Sequence, residues 1–340
     1  MSHVGWNDSV AQRWDDLDAP DDARPARATK VDRRGVQAIT EDGLLRAKMR
    51  RDAERPDGMG SLPATGDWLA ITSADGRHQV VGVLERTSVL SRRDPAERVA
   101  EQVLAANVTS VFLVLGLDGD INPRRIERGL VLAHEASATP VVVLTKTDLV
   151  EPDALSEIIG EVESVAKEVD IVALSSVTGD GVDGLAPHLG PGSSVALLGA
   201  SGAGKSALVN RLLGAEIQHT GEVRASDGKG RHTTTSRHLL PLPSGGVIVD
   251  TPGVRGLGMW EASDGIAATF PDLVTIAGDC RFADCQHDSE PGCAVRAAMA
   301  SGELDRHRVA AYAKLNAELA ETERRTEEQR RRRGEGRRRR

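Results

Sequence analysis

The sequence predicts an α/β protein, with a small β-barrel before a mostly parallel sheet and a compact metal-binding module after it. Three observations carry this. Between about residues 98 and 270, apolar strand-like runs alternate with helical segments, the pattern of a parallel sheet covered on both faces. Upstream, short β-rich runs are separated by turn residues, as in small barrels. All three cysteines fall between residues 280 and 293, too clustered and too odd in number for a disulfide framework.

Residues 1–34 are polar and charged, with Pro20, Pro25 and no periodicity. They are expected to form a disordered arm. Residues 35–97 hold the barrel runs Val36–Thr40, Asp67–Thr72 and Gln79–Glu85, punctuated by Gly43, Gly66 and Asp75-Gly76. This pattern does not separate an OB-fold from an SH3-like barrel. In residues 98–270 the runs Ser110–Leu115, Pro140–Leu144, Asp170–Leu174 and Ser194–Leu198 read as buried parallel strands. Asn122–Ala136, Pro152–Lys167 and Lys205–Leu213 read as helices between them, and Leu239–Leu242 with Gly246–Val249 as a hairpin. Residues 271–325 hold the cysteine segment and a helix-prone stretch from about Glu303; residues 326–340 read as a disordered basic tail.

Of the 340 residues, 2% are aromatic, which argues against wide stacking on single-stranded nucleic acid. No apolar run approaches the roughly 18 residues of a membrane helix, and the acidic N-terminus is no secretory signal. A cytoplasmic monomer without membrane contact is expected. The net charge of -8 hides an acidic Asp15–Asp22 and an arginine-rich Gln329–Arg340; a basic tail on an acidic protein fits nucleic acid or simple solvation.

Gly199-Ala200-Ser201-Gly202-Ala203-Gly204-Lys205-Ser206 matches GxxxxGK[ST] between a predicted strand and helix. Small residues let backbone N–H groups wrap phosphates, and the helix N-terminus adds positive charge. Lys205 is placed to reach the β and γ phosphates and Ser206 to hold Mg²⁺. Thr145-Lys146-Thr147-Asp148 resembles the guanine-reading NKxD motif. The Asp148 carboxylate accepts from guanine N1–H and its exocyclic amine, a donor pair adenine lacks. Lys146 lays its stem along the base. Thr145 replaces Asn, which is expected to weaken a contact between loops. Ser175-Ser176 ends the next strand, where GTPases carry a Ser-Ala-type motif against the guanine oxygen.

Asp250-Thr-Pro-Gly253 ends an apolar strand and resembles DxxG. Asp250 is expected in the Mg²⁺ shell and the Gly253 N–H against the γ phosphate. Between the two phosphate motifs, Gly228–Thr235 fits a first switch, with Thr234 favoured as the threonine that completes the metal shell. Where many GTPases place a water-orienting glutamine, this chain has Val254. His232 is the candidate for that role; an exposed loop histidine is the competing reading.

Cys280, Cys285, His287 and Cys293 supply three thiolates and an imidazole in a short polar stretch. Four such ligands suit a closed, structural, tetrahedral Zn²⁺ site that supplies much of the module's folding free energy.

The guanine motifs at 145 and 175 precede the phosphate loop at 199 and DTPG at 250. The motif set is complete but rotated, which a sheet tolerates when its termini are joined and reopened elsewhere. With Thr65–Trp68, Ala105–Asn107, Gly230–Thr235 and the cysteine cluster, the chain resembles the RsgA (YjeQ) family of small-subunit-dependent GTPases. The resemblance implies an N-terminal OB-fold, a circularly permuted P-loop GTPase domain and a C-terminal α-rich zinc-binding module. It also implies GTP hydrolysis in late maturation of the small ribosomal subunit, with that subunit and its rRNA as partners and GTP/GDP, Mg²⁺ and one Zn²⁺ as cofactors. Arg86, Arg92, Arg93 and Arg98 near the barrel exit are candidates for rRNA phosphates. Two rival readings are an RNA chaperone with a regulatory nucleotide site, and a permuted GTPase serving another process.

Overall fold

The computed structural model describes residues 1–32, 34–54, 63–93, 101–214, 238–250 and 262–338. A short 3-10 turn, Ser2–Val4, leads into α1 (Asp8–Asp15), whose N-cap Asn7 accepts from the Val10 N–H. Five strands follow: β1 (Arg24–Asp32), β2 (Gly35–Thr40), β3 (Gly43–Glu54), β4 (Trp68–Ala74) and β5 (Arg77–Val83). They close in the order β1-β2-β3-β5-β4. The β3–β5 pair is parallel and the other pairs antiparallel, which gives the five-stranded OB-type barrel. Small side chains fill its narrow interior, among them Ala26, Ala28, Ala38 and Ala47 beside Leu69 and Val80.

The expected disordered arm over 1–34 is therefore corrected. Residues 24–32 are the first barrel strand, and Val4 and Val10 are buried. The physical reason is strand alternation. Ala26 and Ala28 face the barrel interior, while Arg27 between them faces the neighbouring domain and is 1% exposed.

A two-stranded ribbon, β6 (Val89–Arg93) and β7 (Glu101–Ala106), links the barrel to the core. The core holds β8 (Ser110–Gly116), α2 (Pro123–Glu135), β9 (Thr139–Thr145), α3 (Pro152–Val165), β10 (Asp170–Leu174), β11 (Ser194–Leu198), α4 (Lys205–Leu213), β12 (His238–Pro241) and β13 (Val247–Asp250). The sheet order is β10-β9-β8-β11-β13-β12, parallel except for the β12–β13 hairpin. Alternate residues serve opposite faces: Phe112, Val114, Val141 and Val143 pack with Leu208 of α4, whereas Leu113, Val142 and Leu144 pack with Ile126 and Leu130 of α2.

Among the described residues four helices follow: α5 (Ser263–Thr269), α6 (Pro271–Ala277), α7 (Ala294–Ser301) and α8 (Arg306–Arg338). The expected disordered tail over 326–340 is also corrected, because the α8 backbone stays helical through Arg338. Glutamates precede arginines at helical spacing, with Glu321 to Arg325 at 2.5 Å and Glu327 to Arg331 at 2.8 Å, an order that supports a helix. Among the described residues, no helix is long and apolar enough to cross a membrane.

Candidate nucleotide site and metal centre

The parallel strands β8, β9, β10, β11 and β13 deliver their C-terminal ends to one edge of the sheet, where α/β proteins bind ligands. Gly199–Ser206 joins β11 to α4 there. A side chain at Gly199 would collide with the Val114 carbonyl, and Gly204 (φ +88°) caps α4 in the left-handed region against Thr145. Lys205 is 8% exposed and donates to the carbonyls of Gly199 (2.8 Å) and Ala200 (2.6 Å). Burial lowers its pKa, and the charge of Asp250 works against that shift. Asp250, 6% exposed, ends β13 beside β11. The loop backbone of Gly199–Gly204, the Lys205 ammonium and the Asp250 carboxylate thus lie together at the N-terminus of α4, with Ser206 in its first turn.

The base side is built by hydrogen bonds between loops. Ser175 is fully buried; its hydroxyl donates to Asp148 Oδ1 at 2.5 Å and accepts from the Val177 and Thr178 N–H groups, each at 3.2 Å. One carboxylate oxygen of Asp148 is thereby fixed, which orients the other. Thr147 and Asp148 lie in a short 3-10 turn after Lys146, whose backbone is left-handed (φ +67°). Among the described residues, Ser176 Oγ is the buried side-chain polar atom without a hydrogen-bond partner.

Thr145 makes the contact between loops through a hydroxyl. Its hydroxyl lies 2.7 Å from the Ala203 carbonyl and 3.2 Å from that of Leu115, so it ties β9 to the phosphate loop. A hydroxyl has one hydrogen to donate, and the shorter contact is to Ala203. Sequence reasoning also missed Asp118, whose Oδ2 pairs with Lys146 Nζ at 2.5 Å. That hydrogen bond holds the Asp118 carboxyl below its usual pKa. The signal available was an acid two residues beyond the glycine that ends β8. His232, Thr234, Gly253, Val254 and Arg98 lie outside the described residues.

The second cluster lies between α6 and α7. Ligand atoms of Cys280, Cys285, His287 and Cys293 all fall within 4.8 Å of one another. Cys280 Sγ and Cys293 Sγ are 3.9 Å apart, and His287 Nδ1 lies 3.6 and 3.5 Å from them. A tetrahedral Zn²⁺ with ordinary bond lengths requires edges of about 3.8 Å between sulfurs and about 3.5 Å from sulfur to nitrogen. The donor set and its spacing fit that ion. Cys293 is also the N-cap of α7, its sulfur accepting from the Arg296 N–H at 3.5 Å.

The profile of the RsgA GTPase family matches residues 83–260. A small ribosomal subunit biogenesis GTPase RsgA from Opitutus terrae is 44% identical over 339 residues, covering 96% of this chain and 92% of its own. The same-named protein of Streptomyces coelicolor is 42% identical, covering 94% and 86%. This chain belongs to the RsgA GTPase family. The crystal structure of YjeQ from Thermotoga maritima superposes with TM-score 0.65 at 28% identity, covering 88% of this chain and 99% of that one. YloQ, described as a circularly permuted GTPase, superposes with TM-score 0.62 at 23% identity, over 90% and 98%. The permutation read from motif order is thus a property of the RsgA fold. It explains why β8, β9 and β10, which bear the guanine-side loops, come before β11 and the phosphate loop.

Proposed function

We propose that this RsgA-family GTPase binds Mg-GTP and hydrolyses it, as a cytoplasmic monomer, during late maturation of the small ribosomal subunit, whose rRNA stimulates turnover. The relatives' names support the process. The observation that carries the substrate is Asp148, held by the buried Ser175 at 2.5 Å beside the phosphate loop. A carboxylate fixed through one oxygen presents the other to guanine, and it rejects a base that lacks the matching donor pair.

In this reading Gly199, Ala200, Ser201, Gly202, Ala203 and Gly204 wrap the phosphates, with Lys205 leaving its loop carbonyls for phosphate oxygens. Thr145, Lys146, Thr147, Ser175 and Ser176 frame the base. Ser206, Asp250 and Thr234 are hard oxygen donors of the kind Mg²⁺ takes. When bound, that ion would neutralise charge developing on the phosphates. Gly253 senses the γ phosphate, and His232 orients the attacking water where Val254 cannot. Cys280, Cys285, His287 and Cys293 hold a structural Zn²⁺.

The test is GTP turnover with and without purified small subunits, with large subunits as control. Stimulation by small subunits alone is expected. Fast turnover by the free enzyme with no response to subunits overturns the reading. Asp148→Asn, which shifts the hydrogen-bond demand from guanine to xanthine, is expected to move nucleotide preference from GTP to XTP.

A further inference from the structure

The phosphate loop has a second neighbour on the side of α2. A cavity of about 680 Å³ opens between Gly199–Ala203 and the start of α2, with Lys314 of α8 on its wall. Its charge is unusual for its place in the fold. The first turn of α2 contains no acid and holds Arg124 and Arg125, both exposed, two and three residues after the N-cap Asn122. A helix N-terminus already carries positive partial charge and favours carboxylates there. Two arginines at that position raise the local potential and oppose helix stability. Such a breach of a local rule is expected at functional surfaces.

The surrounding carboxylates do not cancel it. Asp118 is engaged by Lys146, and Glu318 is engaged by Arg128 one turn along α2, in a bidentate pair at 3.0 and 2.5 Å. Glu127, which attracts Arg124, is buried, and burial raises its pKa to about 6. Among the described residues Arg124, Arg125 and Lys314 form no ion pair, and Asp120 is the remaining acid on the cavity wall.

We infer that Arg124 and Arg125, with Lys314 behind them, form a docking surface for RNA phosphates at the mouth of this cavity. The partner's chemistry follows from the site: exposed guanidinium groups, an open mouth, and an electrostatic demand that a polyanion meets without a shaped pocket. Contact here falls directly beside Gly199–Ala203, so bound RNA is positioned to act on the nucleotide site. The inference extends the proposed assembly function and rests on it for the identity of the RNA.

The helix dipole gives a test with opposed readouts. Arg124→Glu with Arg125→Glu complements the α2 N-terminus, so thermal stability is expected to hold or rise. Turnover without subunits is expected to stay unchanged. Affinity for a fluorescein-labelled RNA duplex, read by anisotropy, is expected to fall about tenfold, and the salt slope of log affinity to shrink by about 1.5. The half-saturating concentration of small subunits in the turnover assay rises in parallel. Should the reversed pair melt early, Arg124→Gln with Arg125→Gln neutralises without reversal and carries the same direction of change. Unchanged RNA affinity in a folded variant overturns the inference, and loss of subunit response with RNA affinity intact assigns the surface to a protein partner instead. If wild-type turnover ignores small subunits, the assembly reading fails, while the RNA arm still decides this surface.

Discussion

The barrel and the cysteine loop lie on either side of the nucleotide-binding core in the sequence, and each side sets a buried arginine against it, Arg27 at Ser194 and Asn107 and Arg308 at the Val165 carbonyl (3.4 Å), but the two arginines are held by different physics. Arg27 of the barrel is 1% exposed and, among the described residues, hydrogen-bonds to no carboxylate, feeling the Asp67 charge only through space. Its guanidinium donates to Ser194 Oγ (2.8 Å) and the carbonyls of Asn107 (3.2 Å), Gly66 (3.4 Å) and Val4, and it stacks on Trp68 at 5.0 Å. Burial lowers its pKa to about 9, which still leaves it charged at neutral pH. Arg308 of α8 instead grips a carboxylate: it meets both oxygens of Asp272 at 2.9 and 3.0 Å, the Thr269 carbonyl at 2.9 Å, and stacks on Phe270 at 4.7 Å. The barrel also owns an apolar core, whereas between α6 and α7 the buried residue is the ligand Cys293. A domain with its own core can dock through neutral acceptors. The Cys280–Cys293 loop has no such core, and its four clustered donors offer a metal site in its place.

Zinc removal is the strongest way to break the comparison. Chelation, or Cys280→Ser, is expected to unfold residues 278–293 at a cost of about 10 kcal/mol or more of local stability. Limited proteolysis would then cut that segment first while the barrel stays intact. A barrel that unfolds together with the loop would show that the two ends are not independent. Arg27→Met comes next. It strips the donor from Ser194 Oγ and three carbonyls, and is expected to destabilise the protein by about 3 kcal/mol, read as a lower urea midpoint. Because Ser194 begins the strand that carries the phosphate loop, GDP affinity is expected to fall with it.

What could be read beforehand follows the same division. The core strands fall where continuous apolar runs placed them, because each strand of a covered parallel sheet must be apolar on both faces. The first barrel strand was hidden. Its inward residues are alanines, and its arginine looks like a surface residue until a second domain buries it. The Glu-to-Arg spacing at 321–325 and 327–331 was visible in the sequence, but the arginine block after it dominated the reading. At the site, Gly199–Ser206 and the cysteines are contiguous patterns. The Asp118–Lys146 pair and the Thr145 tie to Ala203 join residues 28 and 58 positions apart, and only the fold brings such partners together.

Arg308→Met sharpens the contrast by its dependence on pH. Burial alone would raise the pKa of Asp272, but the hydrogen bond and charge of Arg308, with help from Lys167, more than reverse this and hold it below 3.8. A carboxyl depressed on folding contributes stability that is present in full above its unfolded pKa and is lost as pH falls through its folded one. The Arg308–Asp272 contribution is therefore complete at pH 7 and drains away below about pH 4. The variant is expected to lose about 2 kcal/mol at pH 7, less than Arg27→Met because Asp272 keeps some solvent and Lys167. Its deficit relative to wild type narrows on acidification. Arg27 hydrogen-bonds to no carboxylate among the described residues and feels Asp67 only through space, so the Arg27→Met deficit is expected to change less over the same range. Urea midpoints of both variants from pH 7 down to pH 3 separate the two behaviours, and parallel curves would mean that the two arginines dock their domains in the same way.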